Sequence, residues 1–130
     1  MKKQALIDHW VKSADEDLTT MRHLFQTRDY AWSLFVGHLV IEKLLKAYYI
    51  KIVGPDFPFT HNLLKLADKA GLNLTPEQQI LFAEITEFNI ETRYWDYKRK
   101  FYRKCTRNFA TNYIVKIQEL QQWLKKIIAD

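Results

Sequence analysis

Apolar residues recur at steps of three and four along most of the chain, as they do on one face of an amphipathic helix. The first such segment predicts a helix over about residues 4–26, with the apolar positions Ile7, Trp10, Ala14, Leu18, Met21 and Phe25. From Tyr30 to Val53 apolar residues occupy almost all sides, which predicts the most buried helix. Gly54-Pro55 ends it, because proline lacks a backbone N–H and disfavours helical geometry in the residue before it.

The remaining pattern predicts three more helices. Thr60 is a candidate N-cap for a short helix that ends at Gly71. Thr75-Pro76-Glu77-Gln78 has the composition of a capping box and opens a helix that fades near Asn89. A final helix is predicted over about residues 106–128. Residues 91–105 are ambiguous, because their aromatic residues have partly helical spacing.

Strand signals are nearly absent, since the chain has three Gly, three Pro and no alternation of β-branched residues between turns. The sequence therefore predicts an all-α fold, a single up-and-down bundle of four to five helices over residues 1–130. The turns are short enough for antiparallel neighbours. No internal repeat, low-complexity tract or second domain interrupts the pattern.

The composition narrows the setting in which the protein works. The 130 residues are 48% hydrophobic but contain no uninterrupted apolar run of about 18 residues, and the start lacks the features of a secretory signal. We therefore expect an unexported, cytoplasmic protein without membrane association. The single cysteine, Cys105, can form neither an internal disulfide nor a multi-thiol zinc site, which is typical of a reducing compartment.

The net charge of +5 is concentrated in one stretch, ETRYWDYKRKFYRKCTRNF, which spans residues 91 to 109. Residues 91–107 hold seven Lys or Arg against two acids. Cations interleaved with aromatic rings are typical of surfaces that bind phosphates and stack bases. The stretch therefore predicts a nucleotide- or RNA-binding rim made of Arg93, Tyr94, Asp96, Tyr97, Lys98, Arg99 and Arg103. In the alternative interpretation, Tyr94, Trp95, Tyr97 and Phe101 close the bundle end and the basic stems cover them.

Candidate residues outside this stretch have competing interpretations. Lys43 and Lys46 could add charge to the rim if they face the same cleft as Arg93. Packing is the simpler role, because Glu42 and Lys46 have the spacing of an i,i+4 ion pair. His61, at the start of a short helix, could bind a ligand or hydrogen-bond locally. A histidine such as His38, inside an apolar helix, is typical of a core position.

Cys105 lies among basic residues that would favour its thiolate, although a structural cysteine is the simpler interpretation. The sequence has neither metal-ligand spacing nor a Gly-rich phosphate loop, so we predict no metal and no cofactor.

Several short motifs resemble HEPN domains. They are Trp10, Ala14 and Asp17-Leu18 on the first helix; Tyr30-Ala31, Phe35, Glu42-Lys43 and Lys46-Ala47 on the second; His61-Asn62-Leu63-Leu64 with Leu66; and Arg93-Tyr94 with Asp96. The last resembles an Arg-Tyr-Pro-Asp segment, with Trp95 in place of the proline. His38 stands where glutamine is common in the family.

The resemblance implies a helical bundle, often a homodimer, in a family named for nucleotide binding. Members are frequently encoded beside a nucleotidyltransferase, as in toxin-antitoxin pairs, so a nucleotidyltransferase-family protein is an expected partner. Many are metal-independent ribonucleases that use an arginine followed about four to six residues later by a histidine, which can assist acid–base chemistry at the 2′-hydroxyl or leaving group.

The ribonuclease motif is missing from this chain. Its histidines are His9, His23, His38 and His61, and none follows an arginine at the required spacing. The nearest match is Arg107 with Asn112, where asparagine cannot exchange a proton near neutral pH. The leading hypothesis is therefore a non-catalytic module that binds RNA or nucleotide phosphate. The alternatives are a ribonuclease that combines Arg93 or Arg107 with His61 or a tyrosine, and a structural partner subunit.

Overall fold

The computed structural model describes residues 2–130, apart from the side chains of Trp95 and Asp96. Within that range the chain is all-helical, which confirms the predicted fold class. The described residues form six helices rather than four or five, because the ambiguous segment forms a helix of its own. The helices are α1 Lys2–Gln26, α2 Tyr30–Ile52, α3 Leu63–Lys69, α4 Pro76–Arg93, α5 Trp95–Lys104 and α6 Arg107–Ala129.

Helix α2 lies at the centre and packs against α1, α4 and α6. It is antiparallel to α1, since Ser33 Oγ donates to the Met21 carbonyl at one end and Lys43 Nζ donates to Ser13 Oγ at the other, both over 2.8 Å. This central position explains why α2 is apolar on nearly every side. The prediction that it is the most buried helix is confirmed by its buried residues, which extend from Ala31 to Ile50.

Helix α6 runs in the same direction as α2 and lies directly against it at Gly37. A Cβ atom at this position would lie 2.7 Å from Ile117 Cδ1, so the missing side chain allows the close approach. At the far end, Lys51 Nζ donates to the carbonyl oxygens of Ile127 and Ile128 over 2.9 and 3.0 Å. These are carbonyls of the last turn of α6, which have no partner within the helix.

Two predicted helix starts have different outcomes. The capping box is confirmed, with Thr75 Oγ1 accepting from the Gln78 N–H over 3.1 Å and the Gln78 side chain accepting from the Thr75 N–H. The prediction that Thr60 caps α3 is wrong. Asn62 is the N-cap, and its side chain accepts from the Lys65 N–H over 3.2 Å. Thr60 lies in the preceding loop, where its Oγ1 accepts from the Asn62 N–H.

The end of α4 also differs from the prediction. The helix continues past Asn89 to Arg93, because Asn89 and Thr92 are buried against the bundle. Tyr94 has an extended backbone and separates α4 from α5. Phe101 then anchors α5, since it is 2% exposed and its ring centroid lies 5.6 Å from that of Phe88. Helix α5 is thus fixed across one end of the bundle.

Among the described residues, no helix combines the length and apolar character that a bilayer crossing requires.

Candidate nucleic-acid interface

The basic residues of α5 lie on more than one side of the helix. Consecutive residues of an α-helix are about 100° apart, so Arg99 and Arg103 face away from the buried Phe101. Both arginines are exposed. Lys98 and Tyr102 share a flank of α5 that faces the start of α2. The outermost face of α5 is therefore cationic, and one flank combines a cation with an aromatic ring.

That flank meets α2 at Trp32. The Lys98 ammonium lies 5.5 Å from the centre of the Trp32 ring and 5.7 Å from that of Tyr102, within the range of cation–π attraction. A cavity of about 300 Å³ opens beside these rings. It is lined by Arg28, Asp29, Tyr30, Ala31, Trp32, Tyr102 and Cys105.

The turn between α1 and α2 and the start of α6 each add one more cation. Arg28 is exposed and has a φ of 68°, in the left-handed region that few residues other than glycine adopt. The Arg107 guanidinium, at the start of α6, lies 5.6 Å from the centre of the Phe25 ring. Together these side chains form what we call the basic-aromatic surface, which consists of Arg28, Trp32, Lys98, Arg99, Tyr102, Arg103 and Arg107.

The alternative interpretation, in which the aromatic residues of this stretch close the end of the bundle, holds for only some of them. Phe101 does close the bundle end, but Tyr97 is 53% exposed and Tyr94 is similarly exposed. The Arg93 guanidinium lies 5.7 Å from the centre of the Tyr94 ring. Two residues of the predicted stretch, Trp95 and Asp96, have side chains outside the described part of the structure.

Lys43 and Lys46 do not face the same cleft as Arg93. Lys43 Nζ lies 2.6 Å from Asp17 Oδ2 on α1. Lys46 Nζ lies 3.1 Å from Glu42 Oε2, and 4.9 and 5.1 Å from the ring centres of Trp10 and Phe57. Both lysines therefore have the packing role. Arg93 follows Thr92, whose hydroxyl donates to the Ala31 carbonyl, and Ala31 is roughly 22 Å from Lys46 along the axis of α2.

His61 lies beside Glu42 and Lys46, away from the basic-aromatic surface. Its Nδ1 lies 2.7 Å from Oε1 of Glu42, whose side chain is 4% exposed, whereas the His61 side chain is 58% exposed. Burial raises the pKa of Glu42, but the hydrogen bond from His61 and the charge of Lys46 outweigh it, so the pKa is lowered overall. Of the two roles considered for His61, this geometry supports local hydrogen bonding. The bond ties the loop before α3 to α2.

His38 is a fully buried core histidine with both ring nitrogens engaged. Nε2 lies 2.8 Å from the His61 carbonyl oxygen, and the Asn89 amide lies 3.5 Å from Nδ1. A carbonyl can only accept, so the neutral ring donates from Nε2 and accepts at Nδ1. Burial lowers the pKa of His38, and the nearby carbonyl and Glu42 only partly offset that effect.

Acid is expected to destabilise the fold through His38 and Glu42. The folded-state pKa of His38 lies below its ordinary value of 6.5, so the unfolded chain takes up the proton first and stability falls as pH drops below about 6.5. The lowered pKa of Glu42 has the same sign below about 4.5. We expect His38→Gln to flatten the loss of stability between pH 7.5 and 5.5 in urea unfolding. Equal losses in variant and parent would contradict this assignment.

The surroundings of Cys105 do not favour the thiolate form. It is buried, and burial together with the charge of Glu91 raises its pKa to about 12, with Lys104 offsetting only part of the shift. The thiol is therefore neutral at physiological pH and acts as a small apolar side chain.

The ribonuclease alternative that pairs an arginine with His61 is not assembled within one chain, whereas a tyrosine does lie beside Arg93, whose guanidinium is 5.7 Å from the centre of the Tyr94 ring. Arg107 packs on Phe25 and Arg93 follows Thr92, so both arginines lie near the start of α2. His61 pairs with Glu42, which is roughly 16 Å further along the axis of α2 than Ala31. Arg107 and Asn112 are both exposed in the first turns of α6. Among the described residues, no three His, Cys, Asp or Glu side chains come together as metal ligands.

Sequence reasoning missed the contribution of the α1–α2 turn. Arg28 and Trp32 lie far from residues 91–107 in the chain and meet α5 only through the packing of α1, α2 and α5. The one local feature that could have pointed to this surface was Trp32, an aromatic residue close to the start of the predicted buried helix.

These features define an all-helical domain with a cationic, aromatic surface at one end. Comparison with protein families adds the identity of that domain. The family model for the HEPN domain matches residues 7–127, so the chain belongs to the HEPN family. Searches of curated proteins and of solved structures found no match to the chain.

Proposed function

We propose that this HEPN domain is a non-catalytic module that binds single-stranded RNA through the basic-aromatic surface. The observation that supports this proposal most directly is the position of Lys98 between Trp32 and Tyr102, beside the outward-facing Arg99 and Arg103. Cations and accessible rings thus alternate on one surface, as they do where proteins bind single strands.

Each part of the surface has a distinct task in this proposal. The guanidinium groups of Arg99 and Arg103 pair with phosphates, for which their planar geometry is suited. The rings of Trp32 and Tyr102 stack bases, an interaction worth about 1–3 kcal/mol per base and tolerant of sequence. We therefore expect stronger binding to single strands than to duplex RNA, whose bases are already stacked.

The non-catalytic part of this proposal is supported by two candidate partners of the arginines, Asn112 and His61. Cleavage through the 2′-hydroxyl needs a group that exchanges protons near neutral pH. Asn112 cannot, and His61 is engaged with Glu42 away from the arginines. By family resemblance we further propose a homodimer and a nucleotidyltransferase-family partner in a toxin-antitoxin-like pair, both of which copurification and light scattering can test.

The test is the double variant Arg99→Ala/Arg103→Ala, measured by anisotropy of labelled single-stranded RNA. Both side chains are exposed, so folding should be preserved. We expect affinity at low salt to fall by about tenfold or more and the slope of log affinity against log salt to become shallower by about 1.4, since two phosphate contacts are lost.

The matched control is Lys65→Ala/Lys69→Ala, which removes two exposed charges at the same spacing on α3. Its affinity for RNA should change much less. If both double variants lose affinity equally, binding depends on net charge alone and the proposed surface is wrong.

A further inference from the structure

A second surface, on α4 and α6, has the opposite character to the basic-aromatic surface. A groove of about 650 Å³ runs between these helices. Its apolar residues are Ile80, Leu81, Leu120 and Trp123, and Ile80 is 63% exposed. Ile80 lies beside the half-buried Leu81 and Trp123, and contiguous apolar patches rimmed by polar residues mark interaction sites.

The groove results from the way the bundle packs. Helices α4 and α6 each lie mainly against α2 and only lightly against each other. They meet where the rings of Phe88 and Tyr113 lie 4.9 Å apart, and where Tyr113 Oη donates to Glu84 over 2.6 Å. The groove lies beyond that contact, along the start of α4 and the later turns of α6, where Thr75 and Trp123 are among its lining residues.

The rim of the groove is acidic although the chain is basic. Glu77, Glu84 and Glu119 line it, with Lys116 as the one cation among the lining residues. These carboxylates would repel RNA phosphates. They would also oppose a two-fold contact between identical grooves, because a two-fold interface brings the same patch of each subunit together.

We infer that this groove binds a basic amphipathic helix of another protein. An apolar stripe on that helix would cover Ile80, Leu81 and Trp123, and lysines or arginines along its edges would pair with Glu77 and Glu119. Burial of the apolar stripe supplies affinity and the charges select the partner, as in other helix-in-groove complexes. The inference does not depend on the RNA proposal, since the two surfaces share no residue.

The test uses the full chain and two synthetic helical peptides as long as α4, which has 18 residues. Both have leucine at steps of three and four. One has Lys and Arg on the flanking positions, and the other has Glu there. By fluorescence anisotropy we expect the basic peptide to bind at least about tenfold more tightly than the acidic one.

Two variants assign the binding to the groove. Ile80→Asp should weaken binding of the basic peptide by about tenfold or more, whereas Val53→Asp, at an exposed apolar position outside the groove, should not. Glu77→Lys/Glu119→Lys should reverse the preference between the two peptides. RNA affinity should be unchanged by Ile80→Asp.

Several results would overturn the inference. They are equal or absent binding of the two peptides, no effect of Ile80→Asp, or a loss of RNA affinity in that variant. A dimer seen by light scattering that Ile80→Asp dissociates would assign the groove to a second copy of this chain instead.

Discussion

Replacement of Phe101 with alanine is expected to lower the free energy of unfolding by about 3–4 kcal/mol, as for other buried phenylalanines. The side chain is 2% exposed and packs near Phe88 and Phe109. Among the described side chains of α5 it is the only buried one, so its loss should loosen that helix first. Urea unfolding gives the overall change, and hydrogen exchange shows whether the amides of α5 lose protection before those of α2.

Tyr97→Ala provides the matched control, because it removes an aromatic ring from the same helix at an exposed position. It should change stability by no more than about 0.5 kcal/mol. If Phe101→Ala leaves stability and α5 protection unchanged, Phe101 does not anchor α5.

Glu42→Ala has the second large expected effect, a loss of about 2–3 kcal/mol in the free energy of unfolding at pH 7. Glu42 is buried, and its carboxylate holds both His61 at 2.7 Å and Lys46 at 3.1 Å. Removing it leaves the Lys46 ammonium, which is largely buried, without its carboxylate. The value lies below that of a fully enclosed pair, because His61 is partly exposed.

The double variant Glu42→Ala/Lys46→Met separates the unpaired charge from the lost packing. Methionine keeps an apolar stem near Trp10 and Phe57 without an ammonium group. We expect the double variant to be more stable than Glu42→Ala alone. If instead the Lys46 substitution adds a further loss of stability, the unpaired lysine is not the cause of the destabilisation.

Most of the helices could be predicted from the sequence, because their signals are local. The step of three and four in α1, the capping box at Thr75 and the break at Gly54-Pro55 each depend on residues within one or two turns. The cap of α3 was misplaced because Thr60 and Asn62 are both good caps, and the backbone geometry alone selects Asn62. The continuation of α4 to Arg93 depends on burial against α2, which no local pattern reports.

The candidate site was harder to predict than the fold. Arg99 and Arg103 could be found because charge is concentrated in one stretch. Their relation to Trp32 could not, since it results from α5 lying across the start of α2. Lys46 illustrates the opposite problem. Its charge is of the kind that a phosphate site needs, but its ammonium group is already paired with a buried carboxylate and packed against two aromatic rings.

The two surfaces suggest how the domain could serve two partners at once. The basic-aromatic surface lies at the α5 end of the bundle, whereas the acidic groove lies along the start of α4 and the later turns of α6. In our account, RNA and a basic helix would bind without competing for residues.

The most direct test of the central claim is anisotropy of labelled single-stranded RNA against the purified chain at low and moderate salt, with EDTA present and the RNA analysed on a gel afterwards. We predict salt-sensitive binding, with affinity falling steeply as salt rises, and RNA that remains intact. Cleaved RNA would contradict the non-catalytic assignment. No binding at low salt would contradict the RNA-binding function itself.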